Sequence, residues 1–296
     1  MSNKTPEQYY IYGAGTAGKN ALENLKASYD IKGFIDSDVK KHGESLLGLT
    51  ISSPDILKNK PHIKLFIASE YTEQIQQHLL AEGFIEQAQI QPLAARMLAV
   101  TTFADDKEKA EIALDVLQCC VNFLRALKVS HYLDAGTLLG IYRDQKLIPW
   151  DDDLDLAVNS RDVENIQKNL AKLVNDLHTL TKQTWQYQVH YASQTFGNVP
   201  KDAVRSFKVV CESNTKLPSI DFFVKYVGGG RSDHSLASRG INIPSSYTES
   251  IIDFSCGDYA WPIPANADAY LTRHYGDWRT PKPDWSITEL KSAETF

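Results

Sequence analysis

Cysteine is scarce, and the four cysteines do not form a metal motif. Cys119 and Cys120 are adjacent, whereas Cys211 and Cys256 stand far from them and from each other. Zinc sites built on cysteine need paired ligands at short, regular spacings, so this distribution excludes the common ones. The adjacent pair also falls inside a helical pattern. We expect all four residues to be reduced thiols packed in the interior.

Long apolar runs are absent. No segment approaches the roughly 20 consecutive apolar residues that span a bilayer. The chain starts with the polar segment Met1-Ser-Asn-Lys-Thr-Pro-Glu-Gln8, which lacks the apolar core of a signal peptide. These features predict a cytoplasmic protein without a transmembrane segment. Peripheral association with the inner face of the membrane and the oligomeric state stay open.

An excess of positive charge is also lacking. The 31 basic and 37 acidic residues give a formal net charge of −6. A general DNA or RNA binder is therefore excluded, because such proteins neutralise phosphates with a basic surface. No internal repeat or low-complexity tract is present. The length of 296 residues and a hydrophobic content of 43% suit two domains with ordinary cores, which we place at 1–100 and 101–296.

The N-terminal region has the order of elements of a Rossmann-like parallel sheet. A strand pattern at 9–12 precedes the glycine loop 13–18 and a helix to Leu25, and a second strand at 31–35 ends before Asp36. Such glycines permit a tight turn and close approach of a phosphate, and the acid could accept a ribose hydroxyl. The candidate nucleotide-binding residues are Gly13, Gly15, Gly18 and Asp36.

Two alternatives remain for this first domain. The same glycines serve close packing of a strand against a helix, so the domain could be purely structural or could dock a partner. No Tyr-x-x-x-Lys pair follows the glycine loop, which counts against sugar dehydratase or epimerase chemistry. A further strand at 65–68 and a helix at 71–82 complete the unit.

Residues 10–57 resemble the N-terminal domains of bacterial polysaccharide-biosynthesis proteins, including sugar acyltransferases and CapD-like enzymes. That resemblance implies a nucleotide-sugar or dinucleotide ligand.

The most informative segment is the acidic run Asp151-Asp-Asp-Leu-Asp-Leu-Ala-Val158. Side chains alternate along a strand, so Asp151, Asp153 and Asp155 are predicted on one face, with leucines and valine on the other. Neighbouring like charges raise one another's pKa unless a cation neutralises them or water surrounds them. Oxygen-only ligands favour Mg²⁺ or Mn²⁺ over zinc, and Mg²⁺ commonly joins carboxylates to a bound phosphate.

A strand followed by a helix start precedes this acidic run. The apolar segment 131–133 leads into Gly136 and Thr137, and Leu138 and Leu139 continue the helical pattern. Amides at a helix start and the threonine hydroxyl can hold an anionic phosphate. The sequence therefore predicts a phosphate-holding turn beside the metal site.

The segments 134–140, Arg143 and 148–155 resemble the LicD family, which includes bacterial phosphocholine transferases and the fukutin-type phosphoribitol transferases of animals. The similarity covers roughly 117–283. It implies an α+β nucleotidyltransferase-like fold for the second domain, and hence an α/β protein overall. Ala135 stands where glycine is frequent in that family, and Asp152 adds a charge of opposite parity.

The resemblance also implies roles for individual residues. Asp153 and Asp155 match the paired carboxylates, and Asp221 is the expected third metal ligand. The alternative for Asp221 is a buried acid paired with Lys208 or Arg205. Arg143 and Lys208 are expected to bind donor phosphates, together with the Gly136 and Thr137 turn. Asp151 could join the metal, bind an acceptor or cap the strand, and a catalytic role is one of its alternatives.

Helices are predicted at 107–128 and 161–180, the first with a purely apolar packing stripe. Strands are predicted at 185–191, 207–211 and 220–227. The segment 228–234 is expected to be a flexible turn and the chain to Pro264 to be rich in loops. A short helix at 267–275 should end at Gly276, and the tail from Lys282 should be extended.

Histidine and aromatic residues give weaker signals. His190, His234 and His274 lack zinc spacing and are expected to form hydrogen bonds. Aromatic residues could stack on a base or face a quaternary ammonium group, although core packing is the more common role. These candidates are Tyr142, Trp150, Tyr187 and Trp278.

Three functional hypotheses result. The first is transfer of a phospho-alditol or phosphocholine-type group from a CDP-linked donor to a glycan or lipid-linked glycan of the lipopolysaccharide, capsule or teichoic-acid type, as the resemblance implies. The second is nucleotidyl transfer from a nucleoside triphosphate at the same metal site. The third is a non-catalytic protein that senses nucleotides or docks partners.

Overall fold

The computed structural model describes residues 7–69, 71–214, 216–237 and 239–295. The polar segment before residue 7 lies outside the described residues. The chain forms two compact units. Unit 1 consists of Met1–Ala99 and Lys282–Glu289, and unit 2 consists of Val100–Pro281 and Leu290–Phe296.

Unit 1 contains a six-stranded sheet in the order β3-β4-β2-β1-β5-β6. All neighbours are parallel except β3 and β4, which form an antiparallel pair. The predicted Rossmann-like parallel sheet is confirmed. Its elements are β1 (Gln8–Tyr12), α1 (Thr16–Leu25), β2 (Ile31–Ile35), β3 (Ser45–Leu46), β4 (Leu49–Ser52), β5 (Ile63–Ile67), α2 (Thr72–Ala81) and β6 (Ile90–Gln91), with 3-10 turns at Val39–Lys41, Pro54–Leu57, Gln87–Gln89, Ala95–Leu98 and Ile287–Glu289.

The central strands of unit 1 have buried side chains on both faces, as expected for a parallel sheet covered by other elements. One apolar cluster contains Ile11 and Phe34, and a second contains Ile35 and Leu65. Helix α1 buries Leu22 and other apolar side chains in the first cluster.

Unit 2 is an α+β domain around an eight-stranded sheet. Strand β11 pairs in parallel with β8 and antiparallel with β10, and β9 follows β10. Its elements are α3 (Lys107–Ala126), β7 (His131–Leu133), α4 (Ala135–Asp144), β8 (Asp153–Asn159), α5 (Val163–Thr181), β9 (Trp185–Tyr191), β10 (Val204–Cys211), β11 (Ser219–Gly228), β12 (Arg231–Ser235), β13 (Arg239–Pro244), β14 (Ile251–Cys256), β15 (Tyr259–Pro264), α6 (Ala267–Tyr275) and β16 (Ala293–Thr295), with 3-10 turns at Ser160–Asp162 and Ser245–Tyr247.

The strand register separates an apolar face of this sheet from a polar one. Leu154, Ile220, Val209 and Tyr187 are successive neighbours across β8, β11, β10 and β9, and the first three are completely buried. These three side chains belong to the core that contains residues of α3 and α5, whereas Tyr187 at the sheet edge is exposed. One position further along each strand, the side chains point to the opposite face because the side-chain period is two.

The structure corrects the prediction for the later part of the chain. The segment expected to contain a flexible turn and loops forms β12 and β13, which pair with each other, and the hairpin of β14 and β15. The tail is not simply extended, since it contains a 3-10 turn and β16. Helix α6 has the predicted bounds and ends at Gly276, whose φ is +72°.

The four cysteines are free thiols, and three of them are buried. Among the described residues, no helix combines the length and the apolar character required to cross a membrane.

Candidate active site

Three carboxylates from two neighbouring strands converge in unit 2. Asp155 of β8 and Asp221 of β11 are direct partners in the parallel ladder, and Asp153 lies on the same face two positions earlier. Each can offer one oxygen such that the three atoms lie within 4.8 Å of one another. Asp155 and Asp221 are buried and Asp153 is partly buried. This set has the number and type of ligands that suit a hard divalent cation.

Asp151 does not occupy the predicted strand position. Strand β8 begins at Asp153, and Asp151 lies in the preceding turn, where its amide donates to the carbonyl of Ile148 at 3.0 Å. Strand alternation therefore does not place it with Asp153 and Asp155. Its carboxylate instead occupies the space that a Cβ on Gly136 would fill. Asp151, Asp152 and Asp153 form a second group, in which one carboxylate oxygen of each residue lies within 4.8 Å of the others.

Burial and mutual repulsion disturb the protonation of these acids. The pKa values of Asp153 and Asp155 lie well above the ordinary range, because the groups are removed from water and face other carboxylates. Burial and the charge of Asp152 raise the pKa of Asp151 to about 7. The arrangement thus disfavours full ionisation in the absence of a cation.

The first turn of α4 is hydrogen bonded to the strand that carries Asp155. The amide of Asp155 donates to Oγ1 of Thr137 at 2.8 Å, so the threonine hydroxyl fixes the strand carrying the acid. Ala135, the first residue of the helix, has a φ of +40°. Glycine adopts that conformation without strain, which gives a physical reason for glycine at this position in similar sequences.

Two buried or partly buried lysines accompany the acids. Nζ of Lys208 lies 2.6 Å from Oδ2 of Asp221. Burial lowers the pKa of Lys208, but the charges of Asp221 and Asp153 outweigh that effect and raise it. Lys109 of α3 is 4% exposed and donates to the carbonyl of Thr101 at 2.7 Å. Burial lowers the pKa of Lys109, and the charges of Asp152, Asp153 and Asp151 only partly offset this effect.

The contacts of Arg143 join α4 to a later segment of the chain. Its guanidinium forms an ion pair with Asp144 at 2.7 Å and donates to the carbonyl of Trp278 at 3.0 Å. Only 8% of the arginine side chain is exposed. The structure therefore gives Arg143 a role in holding α4 against the segment after α6, and its predicted contact with a donor phosphate stays a prediction.

A buried polar network lies behind the acids. Asp134 caps α4, forms an ion pair with Lys225 at 2.6 Å and accepts from the Tyr270 hydroxyl at 2.5 Å. Lys225 also lies 2.9 Å from Nδ1 of His234. Burial would raise the pKa of Asp134, but the charge of Lys225 and the nearby histidines hold it below its ordinary value. The network links β11, α6 and the start of α4.

The glycine loop of unit 1 has mixed roles. Gly13 has a φ of +105°, and an added Cβ would lie 2.6 Å from the carbonyl oxygen of Ala68. Gly18 packs against the carbonyl of Gly13, so both residues are explained by close backbone packing. Gly15 differs, because a Cβ there would meet nothing within 4 Å.

Asp36 is already hydrogen bonded within its own unit. Its Oδ2 accepts from the amide of Ala14 at 2.9 Å and forms an ion pair with Lys41 at 2.9 Å. Its Oδ1 accepts from the amide of Asp38 at 2.9 Å. Asp36 thus holds the glycine loop, and a carboxylate with about four acceptor sites retains little capacity for a ribose.

The aromatic candidates are mainly packed. Tyr142 and Trp278 contact each other with ring centroids 5.7 Å apart, and Trp150 packs against the core. Tyr187 is the exception, since it is 42% exposed, but it lies on the face of β9 opposite to the acids. The three candidate histidines take part in hydrogen bonds; for example, Nδ1 of His274 lies 2.7 Å from the hydroxyl of Ser292. The expectation of hydrogen-bonding histidines is confirmed.

Sequence reasoning missed several residues near the acids. Lys109 lies outside the predicted apolar stripe of its helix and was not singled out, yet it is buried. Lys225 stands in an apolar strand, and a charged residue in such a run is itself a signal for a buried partner. Tyr275 is the last residue of α6. The pKa of Tyr275 lies well above the ordinary value because of burial and the charges of Asp155 and other acids.

The comparisons with known proteins agree with part of these expectations. Residues 128–266 match a family model described as LicD/FKTN/FKRP, nucleotidyltransferase domain, and residues 6–90 match one described as C2185-like, N-terminal. The predicted resemblance to the LicD family is therefore confirmed for that segment. A LicD-type domain indicates a transferase acting in glycan modification.

No curated protein matches the chain. UDP-D-quinovosamine 4-dehydrogenase from Vibrio fischeri is 29% identical over 28% of this chain and 75% of its own, with a TM-score of 0.24. UDP-N-acetylglucosamine 3-dehydrogenase GnnA from Acidithiobacillus ferrooxidans is 14% identical over 81% and 77%, with a TM-score of 0.25. A myo-inositol dehydrogenase from Corynebacterium glutamicum is 11% identical over 91% and 87%, with a TM-score of 0.24. At such TM-scores these similarities give no information about activity.

Proposed function

We propose that unit 2 is a metal-dependent phosphotransferase. It would move a phospho-alditol or phosphocholine-type group from a CDP-activated donor to a sugar hydroxyl of a cell-surface glycan. The observation that carries this proposal is the convergence of Asp153, Asp155 and Asp221, whose oxygens lie within 4.8 Å of one another. The donor and acceptor classes are those that the resemblance to the LicD family implies, and the match of residues 128–266 supports that resemblance.

The acid set fits Mg²⁺ or Mn²⁺, because it offers three carboxylate oxygens from a rigid pair of strands. Asp153, Asp155 and Asp221 would hold the ion, which would neutralise the donor's diphosphate when bound. Thr137 fixes the backbone of Asp155, which keeps that ligand in place. Lys208 forms an ion pair with Asp221, so its charge competes with the ion for that carboxylate.

Asp151 is our candidate for the group that accepts the proton of the attacking hydroxyl. Its carboxylate lies against Gly136 at the start of α4 and is not a member of the ligand set of Asp153, Asp155 and Asp221. An acceptor hydroxyl that approaches the metal-bound phosphate from the α4 side could hydrogen bond to it. The leaving group is CMP.

The test is a donor panel. The protein is incubated with CDP-ribitol, CDP-glycerol or CDP-choline, Mg²⁺ and bacterial surface glycans, and CMP release is measured. We expect one donor to be consumed and Asp153→Asn to lower the rate by more than about 100-fold, because a metal ligand is lost. Asp258→Asn, which changes an exposed acid of unit 2, should retain activity. An Asp153→Asn variant that folds and retains turnover would refute the assignment.

Nucleotidyl transfer is the second candidate, favoured by the nucleotidyltransferase description of the matching domain. The same acids would then act on the α-phosphate of a nucleoside triphosphate. Release of pyrophosphate instead of CMP distinguishes the two reactions. Failure to bind both Mg²⁺ and nucleotides would favour a non-catalytic docking protein.

For unit 1 we propose a nucleotide or nucleotide-sugar site above Gly15. The open space at this residue supports the proposal, since a phosphate could approach the backbone at the start of α1. Gly15→Val should abolish binding of the preferred ligand from a set of UDP-sugars and NAD in calorimetric titrations. Ala27→Val is the control, because Ala27 is exposed and lies in the turn after α1, outside the glycine loop.

A further inference from the structure

The polar face of the unit 2 sheet extends beyond the acids. Asp155, Asp221, Lys208 and Gln188 are successive partners across β8, β11, β10 and β9. They therefore point to the same face, opposite the buried apolar row. Gln188 stands two strands from Asp221, about 10 Å away at the usual strand spacing. A molecule reacting at the acids could reach it.

Two more side chains of β9 share this face. Gln186, which pairs with Val210, is exposed like Gln188. Two positions after Gln188 along the same face, His190 pairs with Ser206, and Nδ1 of the histidine lies 3.3 Å from the serine hydroxyl. Beyond Lys208 the face thus presents amides, an imidazole and a small apolar patch at Val210. We call the surface formed by Gln186, Gln188, His190 and Val210 the β9 polar face; Ser206 itself is buried.

The chemistry of the β9 polar face selects between classes of ligand. Amides donate and accept hydrogen bonds, as sugar hydroxyls do, and an apolar patch can contact the C–H face of a sugar ring. A quaternary ammonium group is instead recognised by aromatic faces. Trp185 and Tyr187 of the same strand lie on its opposite face. Phe223, the partner of Ser206 on β11, shares the polar face, but its single ring already contacts Lys225 and His234. A hydroxyl-rich ligand therefore fits this surface better than choline does.

The position of the strand favours an extended ligand. Strand β9 is the last strand in the described order of the sheet, and the two glutamines are exposed. A chain of sugars could continue past the sheet edge without meeting another strand of the described part. Lys208, located between the acids and Gln188, separates the charged part of the face from the uncharged part.

We infer that the β9 polar face binds the acceptor glycan, with Gln188 and Gln186 as specificity-determining residues that hydrogen bond to sugar hydroxyls. This inference rests on the proposed phosphotransferase function and names its acceptor surface. The reactive hydroxyl of the glycan lies at the acids, and the following sugar unit lies over Gln188.

The test first measures glycan binding without transfer. The labelled full chain, with Mg²⁺ and CMP, is applied to an array of oligosaccharides from bacterial lipopolysaccharides, capsules and teichoic acids, and the best binder is titrated by calorimetry. Gln186→Ala/Gln188→Ala should weaken binding by about tenfold or more, since two hydrogen bonds are lost. Tyr187→Ala, on the opposite face of the same strand, should bind like the wild type. The single variant Gln188→Glu should show a loss as well.

The outcomes separate this inference from the proposed function. Asp153→Asn should retain oligosaccharide binding within a few-fold while losing transfer. Glutamine-dependent binding together with no CMP release from any donor would support the surface and refute the phosphotransferase proposal. Absence of binding to every oligosaccharide, or binding that the double glutamine variant leaves unchanged, would overturn the inference. In a transfer assay, the glutamine variants should raise the KM for the glycan and leave the KM for the donor unchanged.

Discussion

Nζ of Lys208 lies 2.6 Å from Oδ2 of Asp221, so the acid cluster contains its own counter-charge. The two residues are direct partners on β10 and β11, which fixes their separation. A divalent ion bound by Asp153, Asp155 and Asp221 must therefore share the last carboxylate with an ammonium group. The lysine weakens the attraction for the ion but makes the site less repulsive to a diphosphate.

Lys208→Met should consequently bind Mg²⁺ more tightly and transfer more slowly. Removal of one nearby positive charge should lower the Kd for Mg²⁺ by about tenfold, the effect of about 1.4 kcal/mol. Calorimetric Mg²⁺ titration and the KM for the donor measure the two effects. Lys201→Met removes an exposed lysine of unit 2 and serves as the control. Unchanged or weaker Mg²⁺ binding by Lys208→Met would contradict this account.

Asp153→Asn should change stability in opposite directions with and without metal. In a chelator the variant should melt at a higher temperature than the wild type, because burial and the charge of Asp151 disfavour the ionised form of Asp153. For the wild type, Mg²⁺ at 100 times its Kd should add about 2.7 kcal/mol to the free energy of unfolding. The variant should lose this increment, whereas Asp258→Asn should keep it. Thermal melts with EDTA and with Mg²⁺ provide the comparison.

Ala135→Gly should stabilise the protein. Ala135 has a φ of +40°, a conformation that costs a non-glycine residue about 1–2 kcal/mol. Glycine relieves that strain and adds chain entropy to the unfolded state of about 0.5–1 kcal/mol. The net gain should be about 0.5–1 kcal/mol in urea denaturation. Ala171→Gly, at an exposed position of α5, should be destabilising by a similar amount. A loss of stability in Ala135→Gly would show that the residue is not strained.

The acids themselves could be found from sequence because local rules determine their positions. Alternation along β8 places Asp153 and Asp155 on one face, and the isolated acid in the apolar strand β11 identifies Asp221. The rule failed for Asp151, since it holds only inside a strand and β8 starts two residues later. The start of α4 was predicted by its flanking strand and apolar helical residues.

The missed features depend on contacts between distant parts of the chain. Asp134 and Lys225 are 91 positions apart in sequence and meet through the β7, β8 and β11 pairings. Strand β12 was missed because its buried residues Asp233 and His234 are polar, so no apolar alternation marks it. The buried carboxylate of Asp233 accepts hydrogen bonds from Asn198 and Asn242. No local sequence pattern reveals these partners.

Stability should depend on pH through His274. Burial lowers its pKa in the folded protein to about 3, whereas the unfolded value is near 6.5. As pH falls below 6.5, the unfolded state binds a proton that the folded state refuses, so stability is lost at up to about 1.4 kcal/mol per pH unit. By pH 5 this loss should be about 2 kcal/mol.

His274→Gln removes that contribution. The advantage of the wild type over the variant should therefore shrink as pH falls from 7 to 5 in urea denaturation with EDTA. The acid cluster, whose pKa values are raised, has the opposite pH dependence, but it is common to both proteins and cancels in the difference. A difference between the two proteins that does not change with pH would contradict the lowered pKa.

The buried ion pair of Asp134 and Lys225 should behave as one unit. Lys225→Met leaves an unpaired carboxylate in the interior and should cost about 3–5 kcal/mol. In Asp134→Asn/Lys225→Met neither charge remains, and the asparagine can still accept from the Tyr270 hydroxyl and cap α4. The double variant should thus be more stable than Lys225→Met.

A double-mutant cycle from urea denaturation measures this coupling. We expect the loss in the double variant to be smaller than the sum of the two single losses by about 2 kcal/mol or more, because each single substitution strands the other charge. Additive losses would mean that the two groups do not interact as an ion pair. Since Asp134 caps the helix whose Thr137 binds the backbone of Asp155, Lys225→Met should also lower Mg²⁺ affinity, and the double variant should restore part of it.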